Sequence, residues 1–336
     1  MQIKNLDFKN FVFGQAGVQG FFGEPDEHRH HKWYKLIPGF SFENMVFVAK
    51  TITLKPRIYP VSSNTELRDG YKIKRFFPKS IWLNLRSFFK GYLLNAVGLA
   101  NTGAFDMFSY NKWQKRKDIF QLSFMPVGAT VEERIIETRE LCRIILANSC
   151  GMTFRYALQV NFSCPNTGHN QKQDPSDIIT VLSSFRRMIP NLILIPKFNL
   201  LVEPETVVAV KPYCDAFCFT NTLEFGKKES KEWWKKLFPK EKSPLLKHFG
   251  GRFSGGLSGA PLFPLLVKWL EKMEQYDDTV VIIAGGGIMK KKDILKLSKF
   301  KIVHGVALGS VAILRPWRLE SLINYGNKIF KKRNLK

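Results

Sequence analysis

Residues 158–166 read Leu158-Gln159-Val160-Asn161-Phe162-Ser163-Cys164-Pro165-Asn166. The apolar run from Tyr156 to Phe162 predicts a buried strand. Pro165 cannot continue its hydrogen-bond ladder, so the chain must turn there. The turn leaves an amide (Asn161), a thiol (Cys164) and a second amide (Asn166) at the strand's carboxyl end. In parallel α/β proteins that end is where chemistry is done. Cys164 is thereby a candidate general base or nucleophile. The plainer reading of a Cys beside a Pro is a small buried hydrophobe.

Working outward, eight short apolar runs predict strands at 11–15, 45–49, 119–124, 156–162, 192–198, 215–220, 280–284 and 303–308. Segments of helical period lie between them. The clearest opens at Thr130, where Thr130 and Glu133 form a T-x-x-E capping box. Another runs from 175 to 188, capped by Asp174 and ended by Pro190. Further helices are predicted at 203–210, 264–275, 290–298 and 317–331. This alternation predicts an α/β fold of the (β/α)8 TIM-barrel type, one domain spanning 1–336.

Two stretches, 56–93 and 226–254, are long for barrel loops. The first carries Lys72, Lys74, Arg75, Phe76, Phe77, Trp82, Phe88, Phe89 and Lys90; the second carries Trp233-Trp234 and many lysines. An active-site flank, a subunit contact, an anionic-partner site, or aromatics folded back on the barrel would each account for them.

Composition narrows the class. The 45% hydrophobic content of these 336 residues supports a full globular core. Five cysteines form no CxxC pair and no Cys/His set at metal-ligand spacing, which argues for a reducing, cytoplasmic setting and against a metal site. No leader-like or membrane-spanning apolar run occurs, so no stable membrane insertion is expected. The formal charge of +24 invites a nucleic-acid or lipid reading. Its lysines are scattered rather than striped, which favours a solvated basic surface and no nucleic-acid partner. His28-Arg29-His30-His31 lacks a second ligand group and follows Pro25-Asp26-Glu27, so it reads as a mobile polar loop; His169 reads as an exposed loop histidine.

The last two strand ends resemble a phosphate cradle. Ala284-Gly285-Gly286-Gly287-Ile288 and Leu308-Gly309-Ser310 let backbone N–H groups approach an anion, and Gly255-Gly256-Leu257-Ser258-Gly259 offers more. Lys50 and Lys197 each close an apolar strand and would oppose an anion or an electron-rich ring. Asn221 follows an apolar strand too, and Asn95-Ala96-Val97-Gly98-Leu99-Ala100-Asn101 adds an amide and a glycine-turned run of donors. Such a mouth suits a planar anion stacked on a flavin.

From about residue 10 to about residue 315 the chain resembles the dihydroorotate dehydrogenases, FMN-dependent barrels of pyrimidine synthesis. The resemblance rests on the order and spacing of Gln15-Ala16-Gly17, Lys50-Thr51-Ile52-Thr53, Asn95 to Leu99, Asn161 to Asn166, Lys197, Thr220-Asn221-Thr222, Gly255 to Gly259, Gly286-Gly287 and Gly309-Ser310. It implies that Cys164, the residue of the soluble class, removes a proton from C5 of dihydroorotate while C6 delivers hydride to flavin N5. It implies Asn95, Asn161, Asn166, Asn221, Thr222 and the backbone of Val97, Gly98 and Leu99 as substrate contacts. Lys50 would lie near both substrate and flavin, and Lys197 near the flavin's N1–C2=O edge. Ala16, Gly17, Thr51, Asn161, Thr220, Gly256, Gly259, Gly286, Gly287, Gly309 and Ser310 would hold FMN. A homodimer and an electron-transfer partner subunit are also implied. Three features depart from the pattern: the long 56–93 stretch, a start almost directly at the first strand, and Gly20 where the quinone-using class has a substrate lysine. The competing readings are a tRNA-dihydrouridine synthase, also an FMN barrel with a catalytic Cys, and a flavin-binding scaffold without turnover.

Overall fold

The computed structural model describes residues 1–57, 67–68, 70–73, 78–149, 155–163, 174–240, 242–248 and 253–334. Seven strands pair in parallel in one curled sheet: Val12–Gly14, Val303–Leu308, Ile282–Gly285, Phe217–Phe219, Ile193–Phe198, Tyr156–Asn161 and Phe120–Phe124. Their residues are almost all buried, as parallel strands covered by helices require.

The expected strand at 45–49 takes a different form. Residues 45–52 bond to both outer strands through single bridges rather than a continuous ladder: Val46 opposite Phe13, Val48 opposite Gln121, Ile52 opposite Phe124. Gly14 N donates to Val46 O (2.9 Å) and Val46 N to Val12 O (2.8 Å) on one side. Ala49 N donates to Gln121 O (2.8 Å) and Ile52 N to Ser123 O (2.9 Å) on the other. The barrel is therefore closed. Between Val48 and Ile52 the segment advances one residue more than its neighbour does from Gln121 to Phe124, and Lys50 N leaves the ladder for Gly20 O (2.8 Å). This is a bulge, and it breaks the regular strand.

The predicted helix caps are present. Glu133 N donates to Thr130 Oγ1 and Thr130 N to Glu133 Oε2, both at 3.2 Å, opening the helix Val131–Ser149. Asp174 accepts from Ser176 N (2.9 Å) ahead of the helix Pro175–Met188. The helix expected at 317–331 starts at Leu319 because Pro316–Arg318 forms a 3-10 turn first.

The two long stretches meet. Strands Leu223–Glu224, Gly256–Gly259, Tyr92–Asn95 and Ile81–Trp82 form an antiparallel sheet at the barrel's carboxyl end. The rings of Trp82, Tyr92, Phe225, Trp234 and Phe238 pack there with centroids 4.8–6.1 Å apart, and Tyr92 donates its hydroxyl to Leu237 O (2.7 Å). These five rings thus fold on one another across the two stretches, whereas Phe89 is exposed. Lys74, Arg75, Phe76 and Phe77 lie outside the described residues.

The opposite end is fastened by Asp215, whose carboxylate is fully buried. It pairs with Arg186 (2.8 Å) and Lys4 and accepts from Leu194 N (2.7 Å). Asp215→Ala should destabilise the fold by about 1–3 kcal/mol in urea titrations, because it leaves the Leu194 N–H without its acceptor, while Arg186 keeps the carbonyls of Pro190 and Leu192. A loss near zero would show the pair to be dispensable.

Candidate functional site

The strand register puts the polar ends of the staves at one level. Asn161 stands opposite Lys197, and Lys197 opposite Cys218. These ends line a cavity of about 320 Å³. Ala16 and Gly17 reach it from the first stave, Lys50 and Thr51 from the bulge, and Asn161 and Lys197 from the middle staves. Thr220, Asn221 and Thr222 follow the strand Phe217–Phe219. Gly286, Gly287, Gly309 and Ser310 come from the last two loops. Asn95, Val97, Gly98, Leu99 and Gly259 come from the antiparallel sheet and its turn. Gly256 does not line the cavity; it pairs with Asn95 in the antiparallel sheet. Cys164, Asn166 and His169 lie outside the described residues.

Inside the barrel a polar row leads to this level. Thr51 Oγ1 and Ser123 Oγ lie 2.8 Å apart, and Gln159 Nε2 donates to Gln121 Oε1 (3.0 Å). Asn161 Oδ1 accepts from Ser163 N (3.2 Å) and from Asn221 Nδ2 (3.1 Å), while Asn221 Oδ1 accepts from Thr222 N (2.9 Å). Ser163, the residue before Cys164, donates through Oγ to Lys197 O (3.3 Å). Lys50 Nζ donates to Ala100 O (2.6 Å) and sits 4.5 Å from the centre of the Phe21 ring. No Asp or Glu is among the described residues lining the cavity. It presents cations, amides and hydroxyls.

Backbone proximity explains two of the glycines. A Cβ on Gly259 (φ 115°) would lie 2.2 Å from Gly91 O, and one on Gly287 (φ 76°) 2.4 Å from Gly259 O. The antiparallel sheet is thereby seated directly on the Gly285-Gly286-Gly287 loop.

The expected polar loop at His28-Arg29-His30-His31 is a correction. Residues Arg29–Tyr34 are helical, and His28, His30 and His31 are buried with ring centroids 4.6–5.3 Å apart. His28 Nε2 lies 2.8 Å from Gly17 O, and His28 and His30 line the cavity. A polar run after Pro25-Asp26-Glu27 carries no local sign of burial, so sequence reasoning missed them. Burial lowers their pKa values to about 3 for His28, about 4 for His30 and about 2 for His31. All three stay neutral, and the charge of Lys50 adds to the lowering at His28. Among the described residues no group of three or more His, Cys, Asp or Glu is arranged to hold a metal ion, and no helix is long and apolar enough to cross a membrane. Burial also pushes the Cys218 thiol up to about 11, against the opposing pull of Lys197.

The sequence model of dihydroorotate dehydrogenase matches residues 85–299, more than half of the chain. The chain belongs to the dihydroorotate dehydrogenase family. It is an oxidoreductase acting on CH–CH groups, in a family of flavoproteins. It is similar to the catalytic subunit of dihydroorotate dehydrogenase B (NAD(+)) from Thermotoga petrophila, with 22% identity over 240 residues, 70% of this chain and 77% of that one. The subunit of the same name from Staphylococcus carnosus is 23% identical over 241 residues, 69% of this chain and 70% of that one. The crystal structure of DHODH in complex with ferulenol from Eimeria tenella shares the fold, with a TM-score of 0.64 at 18% identity over 100% of this chain and 85% of that one.

The histidine cluster gives acid sensitivity of definite sign. A His whose folded pKa is depressed holds its stabilisation above the unfolded value near ~6.5 and loses it as pH falls below that. Glu27, raised to about 7 by burial, works the other way, gaining stability as pH falls from about 7 toward its ordinary carboxylate range. Three histidines outweigh one carboxyl, so these groups together destabilise the fold on acidification from pH 6.5 to 4.5. His31→Phe, packing against Phe40 and Phe42, should reduce the stability lost between pH 7 and pH 5 by about 2 kcal/mol. Urea midpoints at the two pH values measure this; an unchanged difference would refute it.

Proposed function

We propose that this chain is an FMN-dependent dihydroorotate dehydrogenase that oxidises dihydroorotate to orotate in pyrimidine synthesis, with residues 1–336 as one FMN-binding barrel domain. The observation that carries this reading is the chemistry of the cavity. Lys50, Lys197 and the amides of Asn95, Asn161 and Asn221 converge there with no lining carboxylate among the described residues. That set suits two anions, a phosphate monoester and a carboxylate-bearing pyrimidine, and a cation beside a ring that gains negative charge on reduction. The donor set therefore fits FMN. Bound FMN would accept the hydride leaving C6.

In this reading Ala16, Gly17, Thr51, Thr220, Gly259, Gly286, Gly287, Gly309 and Ser310 hold the cofactor, and Lys197 faces its pyrimidine edge. Asn95, Asn161, Asn166, Asn221, Thr222 and the backbone of Val97 to Leu99 orient the substrate. Lys50 lies between the two. Cys164 takes the C5 proton, so that loss of proton and hydride leaves the C5=C6 double bond of orotate. An electron-transfer partner subunit is supported by the similarity to chains named as catalytic subunits of NAD(+)-linked enzymes. A homodimer and a cytoplasmic location complete the reading.

Anaerobic mixing of the yellow protein with dihydroorotate should bleach the flavin, and fumarate, NAD or a quinone offered in turn should identify the acceptor. Protein that stays colourless with added FMN, or yellow with dihydroorotate, would sink the reading. Cys164→Ala should keep flavin and lose about 10²–10⁴-fold in turnover. Wild-type turnover should rise with pH toward the thiol's ordinary value of ~8.5. Near-normal turnover of the variant at pH 8 would remove Cys164 from the mechanism.

A further inference from the structure

We infer that Asn101, whose side chain does not line the cavity, is the positioning residue that holds the Gly98–Leu99 amides in the conformation that receives the anionic group of the substrate. The inference rests on the reading above and names what makes that part of the site rigid.

Gly98 and Leu99 are consecutive left-handed residues, with φ of 65° and 59°. Such a turn can point successive N–H groups toward one side, as anion-binding backbone turns do. Glycine adopts it without penalty, whereas a leucine needs something to hold it there. Asn101 supplies the hold. Its Nδ2 donates to Leu99 O (2.6 Å) and to Thr53 Oγ1 (2.9 Å). Its Oδ1 accepts from Gly103 N (2.8 Å) and Thr53 N (3.4 Å). The side chain, 1% exposed, thus ties the turn to the stave that carries Lys50 and Thr51. Lys50 grips the same turn from the cavity side through Ala100 O (2.6 Å). Arg57 and Asn101 pair backbone to backbone behind it, at 2.9 and 3.3 Å.

An amide is required here because the position must both donate and accept. Asn101→Asp keeps the shape and the acceptor for Gly103 N, but it sets a carboxylate oxygen against Leu99 O. The turn then loses its clamp while the pocket keeps every residue proposed to touch substrate or flavin.

The test compares wild type, Asn101→Asp and Asn101→Asp/Leu99→Gly by steady-state kinetics, orotate titration of the flavin spectrum, flavin content and urea midpoint. Asn101→Asp should raise KM for dihydroorotate and Kd for orotate about tenfold or more, with kcat within about threefold and flavin retained. Adding Leu99→Gly should recover most of the affinity, because glycine takes the left-handed turn without a clamp. Wild-type KM in Asn101→Asp overturns the inference, as does an affinity loss that Leu99→Gly leaves unchanged. If Asn101→Asp does not fold, Thr53→Val, which removes one of the two acceptors for Nδ2, should give a smaller KM rise at constant kcat; no rise overturns the inference. Wild-type protein that fails to oxidise dihydroorotate refutes the proposed function instead, so the two failures are distinct.

Discussion

The hydrogen bonds that residues 45–52 make to both neighbours carry the architecture. Without them the seven laddered strands would be an open sheet with two unpaired edges at Val12–Gly14 and Phe120–Phe124. With them the sheet closes, and the bulge between Val48 and Ile52 turns Lys50 out of the ladder and into the mouth. The same segment supplies Thr51 to the polar row inside the barrel and Thr53 to Asn101. Closure, cation placement and the anchoring of the Gly98–Leu99 turn therefore share one irregular strand.

The electrostatics of the mouth follow from what is kept neutral as much as from what is charged. Lys197 is 4% exposed, and an ammonium at that depth is tolerated only with polar surroundings. Amides and hydroxyls supply dipoles without cancelling the positive field, as a carboxylate would. His28 and His30 extend the wall, with His31 packed behind them, and burial keeps all three uncharged. The charge at the site is thus set locally by two lysines. The +24 of the whole chain is a separate, surface property.

Much of this was legible in the sequence. Apolar runs ending in Asn161, Lys197 and Thr220-Asn221 marked strand ends because strand period and polar termination are local signals. The glycines at 286–287 and 309 were legible as glycine-rich strand ends, but the Gly259 carbonyl that Gly287 must admit was not. The pairing of Tyr92–Asn95 with Gly256–Gly259 was not legible, since it joins segments more than a hundred residues apart and no periodicity reports register. The regular strand expected at 45–49 failed because apolar content does not reveal a bulge. The histidine cluster failed for a related reason. Its burial depends on Phe40, Phe42 and the Gly17 carbonyl, none of which a run of charged and ring side chains would announce.

The amide network also fixes which atoms face the cavity. Asn221 Oδ1 is taken by Thr222 N, so its Nδ2 must turn toward Asn161 Oδ1 and Ser163 Oγ. Asn161 Oδ1 is then occupied by Asn221 Nδ2 and Ser163 N, which leaves its Nδ2 as the donor end. The backbone N–H groups of Thr222 and Ser163 therefore set the sense of the two side-chain amides. A ligand offering an acceptor to Asn161 is matched, and one offering a donor there meets another donor. Sites built this way reject near-isosteres through unpaired polar groups rather than through volume.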